Sequence, residues 1–213
     1  MPGKGLSCAR RAFLSLCATF LLTGAAAAGE RLLPALFDVV GVAENDVLNM
    51  RRGPSAATPV VGALAPDAKG IEVVGTARGG RWGLVRNGEG AAWVAMRYLR
   101  RQPGQNDEAV PAFLRCSGSE PFWTLDLEGE TARFATLNGG AFSLGRLWDG
   151  PPAGRPAQVL GLRLEGAGNG LAAVLRREAC SDGMSDIPYG LSIAAITSGT
   201  MGAQLFTGCC SLR

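Results

Sequence analysis

From Phe37 to the carboxy-terminal residues the chain is a succession of short apolar runs cut by turn residues, and that rhythm constrains the fold more than any other feature. Between Phe37 and Leu99 the runs FDVVGVA, VLNMR, VVGAL, IEVVGTA, RWGLVR and AAWVAMRYL are separated by RGPSAATP, APDAKG, RGG and NGEG. Apolar runs of this length between Gly, Pro and Asn clusters are the pattern of a small antiparallel barrel, and no helical period of useful length interrupts it. Asn87-Gly88 reads as a two-residue hairpin turn of type I′, whose two central positions both require positive φ.

The second half repeats the rhythm: PFWTLDLEG, ETARFATLNG, GAFSLGRLWDG, AQVLGLRLEG, GLAAVLRREAC, YGLSIAAITSG and TMGAQLFTGCC. Phe122, Thr124 and Asp126 alternate with Trp123, Leu125 and Leu127, so one strand face is polar and the other apolar. The turns fall at Glu128-Gly129, Asn138 to Gly140, Asp149 to Gly154 and Gly166 to Gly170. These seven strands predict a curled sheet or barrel. A helix over 170–178 is the competing local reading, and its flanking glycines favour a hairpin. Between the halves, RQPGQNDEAVPA has little to bury and reads as a linker over residues 101–112. The expected organisation is therefore all-β, with one unit over 36–100 and a second over 113–213.

Residues 1–28 join a basic start (Lys4, Arg10, Arg11) to an apolar run from Ala12 to Leu22 and a small-residue exit through Ala28. That is the layout of a secretory signal peptide, with cleavage expected near Ala28. The run is short of the roughly 20 apolar residues a membrane span needs. Cys17 lies inside the run without the small preceding residue of a lipoprotein site. No later segment is long and apolar enough to span a bilayer, so a periplasmic or secreted product without stable membrane insertion is expected. Losing the leader removes three of the 21 basic residues and none of the 18 acidic ones. The remainder is near neutral, with no electrostatic footprint for nucleic acid.

Four cysteines follow the leader: Cys116, Cys180, Cys209 and Cys210. An even number in an exported chain favours disulfides. Metal binding is disfavoured, because there is no CxxC pair and no histidine, and adjacent cysteines chelate tetrahedral zinc poorly.

The order DVLNMRRGPS, PVVGAL, IEVVG, GGRWGLVRNGEGAAWV, RYL resembles a bacterial SH3 domain over residues 37–99. Ala92-Trp93-Val94 stands where that family usually has Gly-Trp-Val. The resemblance implies a small SH3-like barrel and a targeting role toward cell-wall peptides or envelope partner proteins. Trp82 and Trp93 are candidate ligand-platform residues; in so small a barrel, core or half-buried packing is the favoured reading. Arg51 and Arg52 beside Gly53-Pro54 read as a solvated turn rather than a carboxylate clamp.

The second unit is similar to an uncharacterised family of exported bacterial proteins marked by CxGxEPFW, CxDGMSD and a terminal Gly-Cys. Here these stand as CSGSEPFW (Cys116 to Trp123), CSDGMSD (Cys180 to Asp186) and GCC (Gly208 to Cys210). The resemblance implies export and a fold, and no reaction. Adjacent residues of a strand point to opposite faces. Cys209 and Cys210 should therefore reach different partners, one taking Cys116 and the other Cys180, in either assignment.

Without histidine, Ser-His-Asp and Cys-His mechanisms have no base. A carboxylate set remains, Glu120, Asp182 and Asp186, in which two carboxyls could share acid and base duties as in glycoside hydrolysis. The structural alternative makes Asp182-Gly183 a turn and leaves Glu120 and Asp186 to accept backbone N–H bonds. Their spacing does not match a calcium loop. NGGAFSLG and GAGNG lack the features of a phosphate cradle. No cofactor is expected. The sequence thus favours a non-enzymatic binding or structural protein of the cell envelope over a carboxylate-dependent hydrolase of envelope saccharides.

Overall fold

The structure, a computed structural model, describes Met1, Gly3, 32–154 and 157–213; those two residues apart, the leader read over 1–28 lies outside the described residues. The chain is all-β, and its strands build two separate buried clusters.

The first cluster lies between two sheets. One is three-stranded, in the order Ile71–Val73 (β4), Ala35–Val39 (β1), Leu99–Arg101 (β8). The other is five-stranded, in the order Val60–Leu64 (β3), Leu48–Arg51 (β2), Gly90–Ala95 (β7), Trp82–Asn87 (β6), Gly75–Ala77 (β5). Phe37, Leu48, Met50, Val73, Val85 and Val94 fill the space between them. Gly83 in β6 leaves room for the side chains behind it: a Cβ there would come within 2.6 Å of the Met96 sulfur, which would have to shift.

The β6–β7 turn differs from the expected register by one residue. Asn87 pairs with Gly90, so the central residues are Gly88 and Glu89, and only Gly88 has positive φ (61°). That is the type II′ pattern rather than I′. Asn87 instead closes β6 and donates its side-chain N–H to Val61 O at 3.2 Å, tying the hairpin to β3.

The second cluster fills a closed eight-stranded antiparallel barrel in which each strand pairs with its neighbours in sequence and the last pairs with the first. Its strands are Phe113–Ser119 (β9), Phe122–Glu128 (β10), Thr131–Thr136 (β11), Gly140–Gly150 (β12), Val159–Gly166 (β13), Asn169–Cys180 (β14), Tyr189–Ser198 (β15) and Leu205–Leu212 (β16). The alternation at 122–127 is as expected, with Trp123, Leu125 and Leu127 buried. Residues 170–178 are strand, as their glycine flanks required. The strand missing from the sequence reading is β9. Its Arg115, Ser117 and Ser119 obscure an inward row of Leu114, Cys116 and Gly118, and it turns through a cis Glu120–Pro121 bond into β10. CSGSEPFW is therefore a hairpin.

Segment 101–112 is ordered rather than a slack tether. Gln105 donates to Leu36 O and accepts from Leu36 N (2.9 and 2.8 Å), Val110 is 2% exposed, and Arg146 from β12 donates to the carbonyls of Val110 and Pro111. The stretch reads as having little to bury because its partners come from distant strands. Two further hydrogen bonds join the sheets to the barrel: Leu212 N donates to Glu72 Oε1 at 3.0 Å, and Asp186 N donates to Glu89 O at 3.2 Å.

Candidate functional site

The three motifs of the barrel meet at one end of it, where their side chains satisfy one another. β9 and β16 meet at the barrel seam, with Cys116 directly opposite Cys210, and these two form one disulfide. The other joins Cys209, on the outer side of β16, to Cys180 at the end of β14. Adjacent cysteines thus serve opposite faces, and the assignment left open by the sequence is Cys116–Cys210 and Cys180–Cys209. Disulfides are bonds of an oxidising, non-cytoplasmic compartment. No described helix is long and apolar enough to cross a membrane.

Trp123 explains two of the motif glycines. Its indole packs on Phe134 and Phe206 (centroids 5.9 Å from each) and donates to Thr207 O at 3.0 Å. A Cβ on Gly118, which faces it across the β9–β10 pair, would fall 2.2 Å from the indole nitrogen; one on Gly208 would fall 3.0 Å from the ring and 2.0 Å from Ser117 O. The glycines of CSG and GCC are the seat of this tryptophan.

The three candidate carboxylates are held in different ways. Asp182 accepts from Met184 N (3.0 Å), Ser185 N (2.9 Å), Ser185 Oγ (2.8 Å) and Tyr189 OH (3.4 Å). Burial alone would raise its pKa, but these bonds favour the charged form and hold it below the ordinary carboxylate value. Burial, followed by the Asp182 charge, raises the pKa of Tyr189. Gly183, with φ 72°, completes a turn. Glu120 and Asp186 are exposed on separate loops, and Ser119 Oγ donates to the Asp182 carbonyl rather than its carboxylate. Among the described residues no group of three or more His, Cys, Asp or Glu side chains is placed to hold a metal ion.

An arginine-lined surface lies on the five-stranded sheet. In β6 and β7 Gly83, Val85, Ala92 and Val94 face the core, so Trp82, Leu84, Trp93 and Ala95 share the outer face, with Trp82 opposite Ala95 and Leu84 opposite Trp93. Both tryptophans are half-buried there. Trp82 forms the common wall of two adjoining grooves of about 420 and 700 Å³, which also share Ala56, Ala95 and Arg97. Trp93 lines neither; it stands beside Arg51 across the β2–β7 pair.

The walls of this trough are held in place. On one side Thr58 Oγ1 donates to the carbonyls of Gly53 and Ser55 (2.9 and 2.8 Å), and Arg51 Nη1 donates to Thr58 O at 2.8 Å. The 53–58 turn therefore presents Pro54 and Ala56 rigidly, and Arg51 is its brace. On the other side the Arg97 guanidinium lies 4.7 Å from the centre of the Tyr98 ring. Arg78 has φ 56°, a left-handed conformation that costs an ordinary residue about 1 kcal/mol and that glycine adopts freely.

Arg51, Arg78, Arg81 and Arg97 line the trough, and Asp46 is its one lining carboxylate. Among the described residues none of these arginines has a carboxylate partner. Sequence reasoning named Trp82 and Trp93 as candidates, read Arg51 as part of a solvated turn, and missed Arg78, Arg81 and Arg97. The readable signal was RGGRW, two arginines around a glycine turn immediately before the tryptophan. No protein-family model, curated protein or solved structure matches the chain.

Proposed function

We propose that this protein is a non-enzymatic binding protein of the periplasm or cell exterior, and that the Trp82 trough holds an extended, carboxylate-bearing peptide. The observation that carries this reading is the trough itself: four arginines against one carboxylate around a half-buried indole. Guanidinium groups are weakly hydrated and present a fork that matches carboxylate geometry. The indole offers an apolar wall to peptide backbone and side chains. The resemblance of 37–99 to bacterial SH3 domains supports the same reading and names cell-wall peptides or envelope proteins as the partners. The barrel then serves as a rigid, stapled support. Its apolar interior and charged outer positions, such as Arg115, Arg133, Glu165 and Arg176, are the reverse of a membrane barrel.

Calorimetric titration with hexaglutamate and hexaglutamine tests the proposal. Binding of hexaglutamate alone is expected, weakening with added salt and falling by roughly tenfold in Arg97→Gln, the scale of one charge-assisted hydrogen bond. Equal affinity for the two peptides, or no binding of either at millimolar concentration, contradicts it.

A further inference from the structure

A second cavity, of about 480 Å³, lies where the three-stranded sheet, segment 101–112 and the barrel meet. Its apolar walls come from Pro34, Leu36, Phe113 and Leu212, and its charged lining includes Arg101 from the end of β8 and Arg146 and Arg177 from β12 and β14 of the barrel. The three guanidinium groups face two carboxylates. Asp107 pairs with Arg101; Asp149 pairs with Arg146 at 3.0 Å and also accepts from Val110 N at 2.7 Å. Arg177 has no carboxylate partner among the described residues and donates instead to the carbonyls of Ala157 and Asp107 (2.9 and 3.1 Å). Arg213, also on the rim, is drawn toward Asp126 at 3.2 Å.

The site therefore carries one positive charge more than it neutralises, in a place where charge is poorly solvated. Burial works against the Arg177 cation; the Asp107 charge favours it, without pairing with it directly, and the nearby Arg101 charge opposes it. Buried charges are ordinarily paired. An anion supplied from outside would complete the set, and apolar walls beside it would reward an apolar body on that anion. The trough on the five-stranded sheet shares no lining residue with this cavity.

We propose that this junction cavity binds a small organic carboxylate, with the carboxylate at Arg177 and Arg101 and the apolar body against Leu36, Phe113 and Leu212. The reading is independent of peptide binding at Trp82. Occupancy would bridge β1, the 101–112 segment and β14, and so stabilise the junction by mass action.

The test is calorimetric titration of the disulfide-bonded protein with hexanoate, hexanamide and inorganic phosphate. Hexanoate should bind, with hexanamide and phosphate each at least about tenfold weaker, since each lacks one of the two recognition features. Arg177→Gln should lose a similar factor. Because Arg177 also tethers the segment, Ala112→Trp provides a second variant. Ala112 is exposed, its backbone carbonyl accepts from Gly129 N at 2.8 Å, and an indole on its side chain would fill the cavity mouth without disturbing that bond. Loss of hexanoate binding in a normally folded Ala112→Trp supports the assignment. Undiminished binding in that variant, hexanamide or phosphate binding as tightly as hexanoate, or no hexanoate binding at millimolar concentration overturns it.

Discussion

The trough on the five-stranded sheet and the motif-rich end of the barrel differ in what their polar groups have left to give. At the barrel end the cysteines are bonded to each other, Trp123 Nε1 is bound to Thr207 O, and both oxygens of Asp182 are taken by local donors. Along the trough four arginines have no carboxylate partner among the described residues, and a half-buried indole meets solvent. A dense sequence motif can be wholly consumed by folding, whereas a surface with unspent donors is recorded only in scattered residues. Function is better sought in the second kind of place.

The comparison is broken most severely by removing the staples. Replacing Cys116 and Cys210 together by Ala opens a closure of 94 residues and should cost about 4 to 5 kcal/mol. Replacing Cys180 and Cys209 opens 29 residues and should cost about 3 to 4 kcal/mol. Denaturant unfolding under non-reducing conditions measures both, and an effect below about 1 kcal/mol at either bond would deny the barrel end its structural role. Gly118→Ala comes next: its methyl group would lie 2.2 Å from the indole nitrogen and 2.4 Å from Thr207 O, backbone that cannot swing away. A loss of about 2 to 4 kcal/mol is expected. It should be accompanied by a shift in tryptophan emission, while peptide binding at the trough is retained.

The parts of the fold legible in the sequence were those encoded locally. Trp123, Leu125 and Leu127 announced their strand by alternation, and the turn glycines placed most of the hairpins. The cysteine pairing was legible down to two alternatives, because adjacency on a strand fixes opposite faces but not which face looks inward. What stayed hidden was non-local. Arg146 and Arg177 order segment 101–112 from strands far along the chain, and Asn87 shifts its turn by bonding Val61 O. Of the candidate site, Trp82 was readable as the tryptophan that opens a strand. Arg97 was not, since an exposed arginine looks like any other until the sheet brings it beside an indole, whereas Arg78 and Arg81 were marked only by the RGGRW turn. Glu120, Asp182 and Asp186 attracted attention through their motifs; the fold engages Asp182 in local hydrogen bonds and leaves Glu120 and Asp186 exposed.

Glu72 sharpens the contrast at the contact between sheet and barrel. Burial raises its pKa from 4.5 to about 7, outweighing the Leu212 N–H bond and the Arg86 charge that act the other way. Between those values the folded chain binds more protons than the unfolded one, so stability falls as pH rises from about 4.5 to 7. Glu72→Gln keeps an acceptor for Leu212 N without the charge. It should flatten that dependence and add up to about 3 kcal/mol at pH 8. Thermal unfolding across this range checks it, and an unchanged slope would remove Glu72 as the cause. The smallest effect concerns Arg78. Arg78→Gly should relieve its left-handed backbone and raise stability by about 1 kcal/mol while weakening hexaglutamate binding. A gain in stability with no loss of affinity would exclude Arg78 from the site.

The most direct test maps where ligand lands, by following backbone amide resonances as hexaglutamate is added. The account predicts shifts concentrated at residues 41–56, 78–82 and 95–98, with those at 116–123 and 180–186 unmoved. Shifts centred on Glu120, Asp182 and Asp186 would contradict it.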